Sequence, residues 1–417
     1  MQRARSILFG LALVTSAACG AASGRSGPTA HALADAADAR AFASASNELG
    51  LDVWERLRAT HGSENLAISP VSIATALAMT YGGASGDTAL AMATTMHLSS
   101  PPDATMAAAG DLVRGWNDPS RIAYELSVAN RLFAERHYAF RDTYVAATRD
   151  QMGAELERLD FAGSPGPARL AINDWVSDRT HERIQDLLPD GSITPDTRLV
   201  LVNAVYFHGQ WQTTFDTSLT RERPFHAPSG ERPAQTMYRE GAAYGEDDDV
   251  QLLELPYTGG DLRMLFVLPR SREGLPEVES RLDDALVARW AARTHDDERV
   301  QVYLPRFRIE TDSISLRDAL SELGMAVAFS DAADFRAMSE PAETPLEIDD
   351  VFHRVFVELN EEGTEAAAAT AVTMVLETAS IRQPPPPPRF EADHPFLFFL
   401  REPSTGAILF AGRVVDP

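Results

Sequence analysis

The side chains that carry most enzyme chemistry are few in this sequence and are not grouped. The chain has a single cysteine and ten histidines, and the histidines are scattered without the spacing of a metal site. It contains no G-x-S-x-G motif, which presents a nucleophilic serine, and no H-E-x-x-H motif, which binds zinc. We therefore expect a protein that is not an enzyme and that carries no metal or cofactor.

The single cysteine, Cys19, lies at the end of a predicted signal peptide. Residues 1–19 carry two arginines and then an apolar run over 7–14. The position of Cys19 resembles a bacterial lipobox, in which the cysteine is lipidated, although Ser16 stands where an aliphatic residue is usual. The alternative is simple cleavage near Ala18. Both predict an extracytoplasmic protein, secreted, periplasmic or held at the outer membrane or cell surface by a lipid anchor.

The segment 364–377 combines residues that favour two different conformations. If it is a strand, one face carries Thr364, Ala366, Ala368, Thr370, Val372 and Met374. The opposite face then carries Glu365, Ala367, Ala369, Ala371, Thr373 and Val375. The first set is uncharged and begins with small residues, so it can be buried in a sheet at little steric or desolvation cost.

The alternative for this segment is an alanine-rich helix. The run Ala366 to Ala369 consists of the best helix former, and Glu361 and Glu362 suit a helix N-terminus. Gly363 and the β-branched residues from Thr370 onward disfavour a helix. The mixed pattern indicates a segment with two conformations.

The rest of the chain predicts helices first and strands later. Residues 20–40 are rich in Ala, Gly, Ser and Pro and predict a flexible tether, followed by one folded domain over 41–417. Apolar periodicity predicts helices over 43–58 and 71–80. This order, with no linker inside the domain, predicts a single α+β domain.

A continuous apolar run, Leu199–Phe207, predicts a central strand that is buried on both faces. Further strands are predicted at Val250–Pro256, Leu262–Leu268, Arg299–Tyr303, Phe352–Leu359, Phe396–Leu400 and Ala407–Val415. The five prolines Pro384 to Pro388 cannot enter a sheet interior or a helix, so we expect them at the surface.

Composition and charge restrict the class of partner. With 44% hydrophobic residues the chain can build a sizeable core, and its net charge of −24 disfavours nucleic acids and other polyanions. The acidic run Glu246 to Asp249 is interpreted as a solvated loop.

Six stretches, in this order along the chain, resemble signatures of the serpin family and span nearly all of it. They are NLAISPVSIATALAMTYGGASGDTALAM from Asn65, INDWVSDRTHERIQDLLP from Ile172, LVNAVYFHGQW from Leu201, VQLLELPY from Val250, HRVFVELNEEGTEAAAATAV from His353 and HPFLFFLREPSTGAILFAGRVVDP from His394. The resemblance implies three β-sheets, about nine helices and an exposed reactive loop at about 361–390. It also implies an inhibitor of serine, or of cysteine, endopeptidases.

In the family mechanism, the protease attacks the loop and is trapped as a covalent acyl-enzyme when the loop inserts into the main sheet. The implied partner is a target serine protease, and the implied state is a monomer. In heparin-activated relatives the stretch equivalent to 103–117 is basic, whereas here Arg114 is its one basic residue, so heparin activation is not expected.

The resemblance makes residues 361–369 the hinge at which insertion begins. Its members are Glu361, Glu362, Gly363, Thr364, Glu365, Ala366, Ala367, Ala368 and Ala369. Non-inhibitory serpins often carry bulky or charged residues where this chain has the small residues Thr364, Ala366, Ala367, Ala368 and Ala369, so these five residues favour inhibition. The alternative is a non-inhibitory serpin that acts as a binding or chaperone protein.

The resemblance also assigns residues that control opening of the sheet. Ser69, Ser72, Asn203 and His353 match the family's shutter, a polar cluster beneath the point where the sheet opens. Trp211 matches the breach tryptophan at the top of the sheet, although a buried core tryptophan would have the same pattern.

The scissile bond is predicted between Glu377 and Thr378, by counting from Gly363 at the spacing usual in the family. Leu376 and Met374 are alternatives that suit a chymotrypsin- or elastase-like pocket, whereas Glu377 requires a protease with a basic pocket. Counted back from the C-terminal strands, the loop is several residues longer than usual, and we assign the excess to the proline run. Arginine-directed proteases are disfavoured, because Arg382 lies five residues beyond the predicted bond.

Mass spectrometry of the C-terminal fragment released by an inhibited protease tests this assignment. We expect the fragment to begin at Thr378. A fragment that begins at Glu377 would move the bond by one residue and change the class of target protease. A fragment that begins at Gln383 would contradict the count from Gly363.

Overall fold

The computed structural model describes residues 37–62, 64–118, 124–340, 343–364 and 386–417. The predicted signal peptide, Cys19 and the tether up to residue 36 lie outside the described residues. So do the hinge residues from Glu365 to Ala369 and the candidate bond residues Met374, Leu376, Glu377 and Thr378.

Nine α-helices occur in the described part of the chain. They are α1 (Ala37–Thr60), α2 (Pro70–Tyr81), α3 (Gly86–Thr95), α4 (Pro102–Trp116), α5 (Asp142–Met152), α6 (Pro165–Arg179), α7 (Leu275–Glu279), α8 (Asp284–Arg293) and α9 (Arg317–Leu320).

Seventeen strands occur in the same residues. They are β1 (Leu66–Ile68), β2 (Tyr124–Glu135), β3 (Glu155–Leu159), β4 (Leu199–Gln210), β5 (Arg221–Ala227), β6 (Gly230–Glu246), β7 (Val250–Pro256), β8 (Arg263–Pro269), β9 (His295–Pro305), β10 (Phe307–Glu310), β11 (Ile314–Ser315), β12 (Phe352–His353), β13 (Phe356–Leu359), β14 (Gly363–Thr364), β15 (Arg389–Glu391), β16 (Phe396–Glu402) and β17 (Ala407–Val414).

Helices α1 and α2 form where their sequences supply an apolar face and a start signal. In α1, Leu49, Val53 and Leu57 recur every four residues and are buried. Helix α2 begins at Pro70, and the side chain of Ser69 caps it by accepting a hydrogen bond from the backbone of Ser72. Helix α1 starts at Ala37, so residues 37–40 belong to the helix, and the predicted boundary of the tether at residue 40 was too late.

The strands form three sheets, of nine, six and two strands. The nine-stranded sheet has the order β1-β17-β16-β8-β7-β6-β9-β15, and β5 pairs with β6. Every residue of β16 and β17 is buried, which explains their almost continuous apolar sequence. The two-stranded sheet pairs β11 with β12.

The six-stranded sheet has the order β10-β13-β14-β4-β2-β3. Strand β4 pairs antiparallel with β2 from Leu199 to Gly209, so its prediction as a central strand is confirmed. Strand β14 contains just two residues and lies between β13 and β4.

The strand predictions differ from the structure in two ways. The run Phe352–Leu359, predicted as one strand, is divided between β12 and β13, which lie in different sheets. Several strands, including β2 and β6, were not predicted. In β2, buried residues alternate with less buried ones, so its polar residues conceal the apolar face, and β6 has few fully buried residues. The described domain therefore holds more strand than its sequence indicated.

One further prediction concerns the surface. Pro386 and Pro387 are exposed, as expected for the part of the proline run that is described. Among the residues in the described ranges, no helix is both long and apolar enough to cross a membrane. No cluster of acidic, histidine or cysteine side chains suited to a metal ion occurs in those ranges.

Candidate functional site

The candidate site begins where the reactive-loop segment leaves the six-stranded sheet. Gly363 and Thr364 pair with Gln210 and Gly209 of β4, and Thr364 also pairs with Leu359 of β13. In the described part of the chain, β4 and β13 do not pair with each other directly. The two residues of β14 therefore separate β4 from β13, and a strand that continues from Thr364 would enter between them.

Gly363 allows the backbones of β14 and β4 to approach closely. Its φ angle is +151°, and a Cβ atom on it would lie 1.9 Å from the carbonyl oxygen of Gly209. Any other residue would be strained in conformation and would collide with the neighbouring strand. A glycine is thus required at this position of the predicted hinge by its contact with β4.

Thr364 is buried and its side chain is hydrogen-bonded. Its hydroxyl lies 2.7 Å from the hydroxyl of Tyr257, which is also buried. The ring of Tyr257 stacks on Trp211 with centroids 4.4 Å apart and packs edge-on against Phe207. Burial raises the pKa of Tyr257, so its hydroxyl stays protonated at physiological pH.

Trp211 fixes the turn that precedes β14. Its Nε1–H donates to the carbonyl of Asn360 at 3.0 Å, and its backbone N–H donates to the carbonyl of Glu362 at 2.7 Å. The side chain of Asn360 accepts a hydrogen bond from the backbone of Glu362. Trp211 therefore lies directly after β4 and is hydrogen-bonded to the segment that precedes β14, and its role as the breach tryptophan stays a prediction.

Glu361 is anchored outside the strand by an ion pair. Its carboxylate accepts three hydrogen bonds of 2.6–2.9 Å from the guanidinium of Arg306 and one from the hydroxyl of Thr220. Burial acts to raise the pKa of Glu361, but these hydrogen bonds outweigh it and hold the pKa below its ordinary value. Glu361 and Glu362 lie in a bend before β14, so neither starts a helix within the described residues.

His353 forms a second group of predicted residues, together with Ser69 and Ser72. The backbone N–H of Ser69 donates to Nε2 of His353 at 3.0 Å, and the side chain of Ser69 accepts from the backbone of Ser72. His353 must therefore carry its proton on Nδ1 and be neutral. Complete burial lowers its pKa to about 4.

A cavity of about 560 Å³ lies next to His353. It is lined by residues of α2, including Ser72, by the first residues of β4 and by the segment 344–353. Asn203, the remaining predicted shutter residue, lies on β4 with its backbone opposite Asn130 of β2. The cavity thus lies beside the first residues of β4 and next to His353, at the opposite end of β4 from the hinge pairing at Gly209 and Gln210.

Sequence reasoning did not single out several residues that hold the hinge. Arg306, Thr220, Asn360 and Tyr257 all contact residues 361–364 or Trp211. Tyr257 ends the VQLLELPY stretch, but that stretch assigns it no role at the hinge. Arg306 follows directly after a strand, and no local pattern marks it as the partner of a residue 55 positions away.

Comparisons with known proteins agree with this geometry. Residues 44–417 match the sequence model of the family described as serpin (serine protease inhibitor). The chain belongs to the serpin family.

Relatives of this serpin include both characterised and uncharacterised proteins. It is 40% identical to serpin B6 of Pongo abelii, over 85% of this chain and 94% of the relative. It is 37% identical to the leukocyte elastase inhibitor of Sus scrofa, over 90% and 99% respectively. An uncharacterised serpin-like protein of Thermococcus kodakarensis is 39% identical, over 89% of this chain and 84% of the relative.

Solved structures confirm the predicted serpin fold, with nine helices and three sheets among the described residues. Uncleaved ovalbumin is 30% identical and superimposes with a TM-score of 0.80, over 90% of this chain and all of ovalbumin. Human thyroxine-binding globulin is 25% identical with a TM-score of 0.81, over 91% of this chain and all of its own.

The buried neutral His353 predicts how the stability of this serpin depends on pH. Its pKa is about 4 in the folded protein and about 6.5 in an unfolded chain, so below about pH 6.5 the unfolded state binds a proton that the folded state excludes. Folding stability should therefore fall as the pH drops from about 6.5 towards 4, by up to about 3 kcal/mol. Above about pH 7 this residue should contribute no pH dependence.

Thermal unfolding midpoints measured at a fixed heating rate between about pH 4.5 and 8 check this prediction. The variant His353→Gln, which keeps a hydrogen-bond acceptor but does not titrate, should show a shallower loss below pH 6.5. The matched control His295→Gln replaces an exposed histidine and should keep the parent profile. If His353→Gln keeps it as well, protonation of His353 does not destabilise the fold.

Proposed function

We propose that this serpin inhibits serine proteases as a suicide substrate whose loop inserts into the six-stranded sheet. The observation that carries the proposal is the position of β14. Gly363 and Thr364, near the start of the loop, already form a strand between β4 and β13, and no other strand in the described ranges lies between those two. The similarity to a relative named as an elastase inhibitor supports the same activity.

The proposed reaction begins as ordinary proteolysis. The serine hydroxyl of the protease attacks the carbonyl carbon of Glu377, an ester to the protease forms, and the amine of Thr378 leaves with the proton that the protease supplies. The segment 364–377 then extends the strand that begins at Thr364. Fourteen residues at about 3.3 Å each move the attached protease by roughly 45 Å, and its distorted active site fails to hydrolyse the ester.

The residues around the hinge suit this movement. Thr364 already has its side chain on the buried face, so alternation along a strand would place Ala366, Ala368 and Thr370 on the same face. None of them is charged, whereas Glu361 remains outside the strand in its pair with Arg306. Insertion therefore requires no charge to be transferred into the sheet.

A non-inhibitory binding role is the second candidate. Thyroxine-binding globulin, a binding protein by name, superimposes on this chain as well as ovalbumin does. Because the fold is shared, fold similarity does not distinguish the two roles, and the chemistry of the hinge has to be tested. We further propose, from the N-terminal signal, that the protein acts outside the cytoplasm, with Cys19 as a candidate lipid anchor.

Replacement of Thr364 tests the inhibitory mechanism. The parent protein should form a complex with at least one serine protease that survives a denaturing gel. Thr364→Arg should convert the inhibitor into a substrate and raise the stoichiometry of inhibition at least about tenfold, because an unpaired charge would have to enter the sheet. Ala366→Arg should act in the same way.

The matched control is Glu365→Arg, which introduces the same side chain at the next position, on the face expected to remain exposed. It should inhibit nearly as well as the parent. If Thr364→Arg and Ala366→Arg also inhibit as well as the parent, the insertion mechanism is wrong for this protein.

Cleavage of the loop should stabilise the protein sharply. The inserted strand would add main-chain hydrogen bonds, each contributing about 1 kcal/mol, and would bury Val372 and Met374 at about 2 kcal/mol each. We expect the midpoint of thermal unfolding to rise by roughly 10 °C or more. Calorimetry before and after cleavage measures this, and equal midpoints would favour the non-inhibitory role.

A further inference from the structure

The Tyr257 side chain places a hydroxyl group at a fixed point below the hinge. Tyr257 is fully buried, and its hydroxyl lies 2.7 Å from that of Thr364, which is 3% exposed. Thr364 is the last described residue before the reactive segment. A loop residue that already lies within the six-stranded sheet is thus hydrogen-bonded to a residue outside both the loop and that sheet.

The ring of Tyr257 has little freedom to move. Trp211 stacks on one side and Phe207 packs edge-on at 4.8 Å. Gly209 closes the remaining space, because a Cβ atom on it would lie 2.9 Å from Cδ1 of the tyrosine ring. The hydroxyl is therefore a rigid reference point, held by two aromatic rings and by a close backbone contact.

We infer that Tyr257 is a positioning residue that sets the register in which the reactive loop enters the sheet. The inference rests on the proposed function, since register matters when the loop inserts. The hydrogen bond holds Thr364 opposite Gly209 on β4 and opposite Leu359 on β13. Each later residue of an inserting strand would take its place from this starting pair.

Register decides which set of side chains is buried. With Thr364 facing Tyr257, alternation directs Ala366 and Ala368 to the buried face and Glu365 to the opposite face. A slip by one residue would exchange the two faces and bury the carboxylate of Glu365 beneath the sheet. Burial of an unpaired carboxylate is costly, so a misaligned loop would insert slowly or stop.

The two hydroxyls also depend on each other. If one is replaced by an apolar group of the same shape, the other remains buried without its partner, which costs more than the loss of the hydrogen bond itself. If both are replaced, no polar group is left unsatisfied and most of the loss is recovered. Non-additivity between the two positions is therefore the signature of this role.

The experiment compares Tyr257→Phe, Thr364→Val and the double variant with the parent, using a protease that the parent traps. The stoichiometry of inhibition should rise several-fold in each single variant and return to within about twofold of the parent in the double variant. Thr364→Ser, which keeps the hydroxyl, should resemble the parent. The rate of the first encounter with the protease should change little, because the scissile bond is untouched.

Tyr144→Phe is the matched control. Its hydroxyl is also buried but donates to the carbonyl of Met79 in α2, so its loss should lower thermal stability without changing the stoichiometry of inhibition. Single variants that inhibit like the parent would overturn the inference, and so would a double variant that is as impaired as the two single effects combined.

Failure of the proposed function would be seen separately, as a parent protein that traps no protease. In that case, a protease that is not trapped is used to cut the loop of the parent and of each variant. The rise in the midpoint of thermal unfolding on cleavage is then compared among them. A smaller rise in each single variant, restored in the double variant, would support the role of Tyr257 without inhibition. No rise in the parent would mean that the loop does not insert, and the inference would fail as well.

Discussion

Backbone hydrogen bonding along one edge of β4 is the constraint on which the structure around the candidate site depends. The strand pairs with β2 from Leu199 to Gly209. On its other side, the described residues provide pairing at Gly209 and Gln210 alone. Buried N–H and C=O groups without partners cost free energy, so a strand added beside β4 would be stabilising. The segment that follows Thr364 is covalently placed to become that strand.

The two groups of site residues lie at different points along this edge. The hinge group lies at the C-terminal end of β4, where Gly363 approaches Gly209 and Trp211 holds the preceding turn. The His353 group lies beside the cavity lined by the first residues of β4. In the proposed mechanism, a new strand would start at the first group and extend towards the second. Both are buried, so each acts through packing and hydrogen bonds with little screening by solvent.

Charge is distributed so that it does not oppose the addition of a strand. The chain is strongly acidic overall, but the hinge carboxylate Glu361 is neutralised by Arg306 outside the strand. His353 is neutral because its Nε2 accepts a backbone hydrogen bond and because burial disfavours its charged form. Thr364, which does lie within the sheet, is uncharged and hydrogen-bonded. The buried residues around the site are thus either uncharged or paired with an opposite charge, because burial of an unpaired charge is costly.

The sequence by itself determined the family, the class of fold and the segment in which activity is expected to reside. Continuous apolar runs identified β4, β7 and the C-terminal strands, because a strand buried on both faces needs no alternation. The sequence also identified Gly363 and the small residues after it as the predicted hinge. The tertiary structure decided which distant residues hold that segment: Tyr257 is 107 positions from Thr364, and Arg306 is 55 from Glu361. It likewise divided Phe352–Leu359 between two sheets. Periodicity reports the burial of each residue but does not identify its partner, because partners across a sheet are set by how strands from distant parts of the chain pack together.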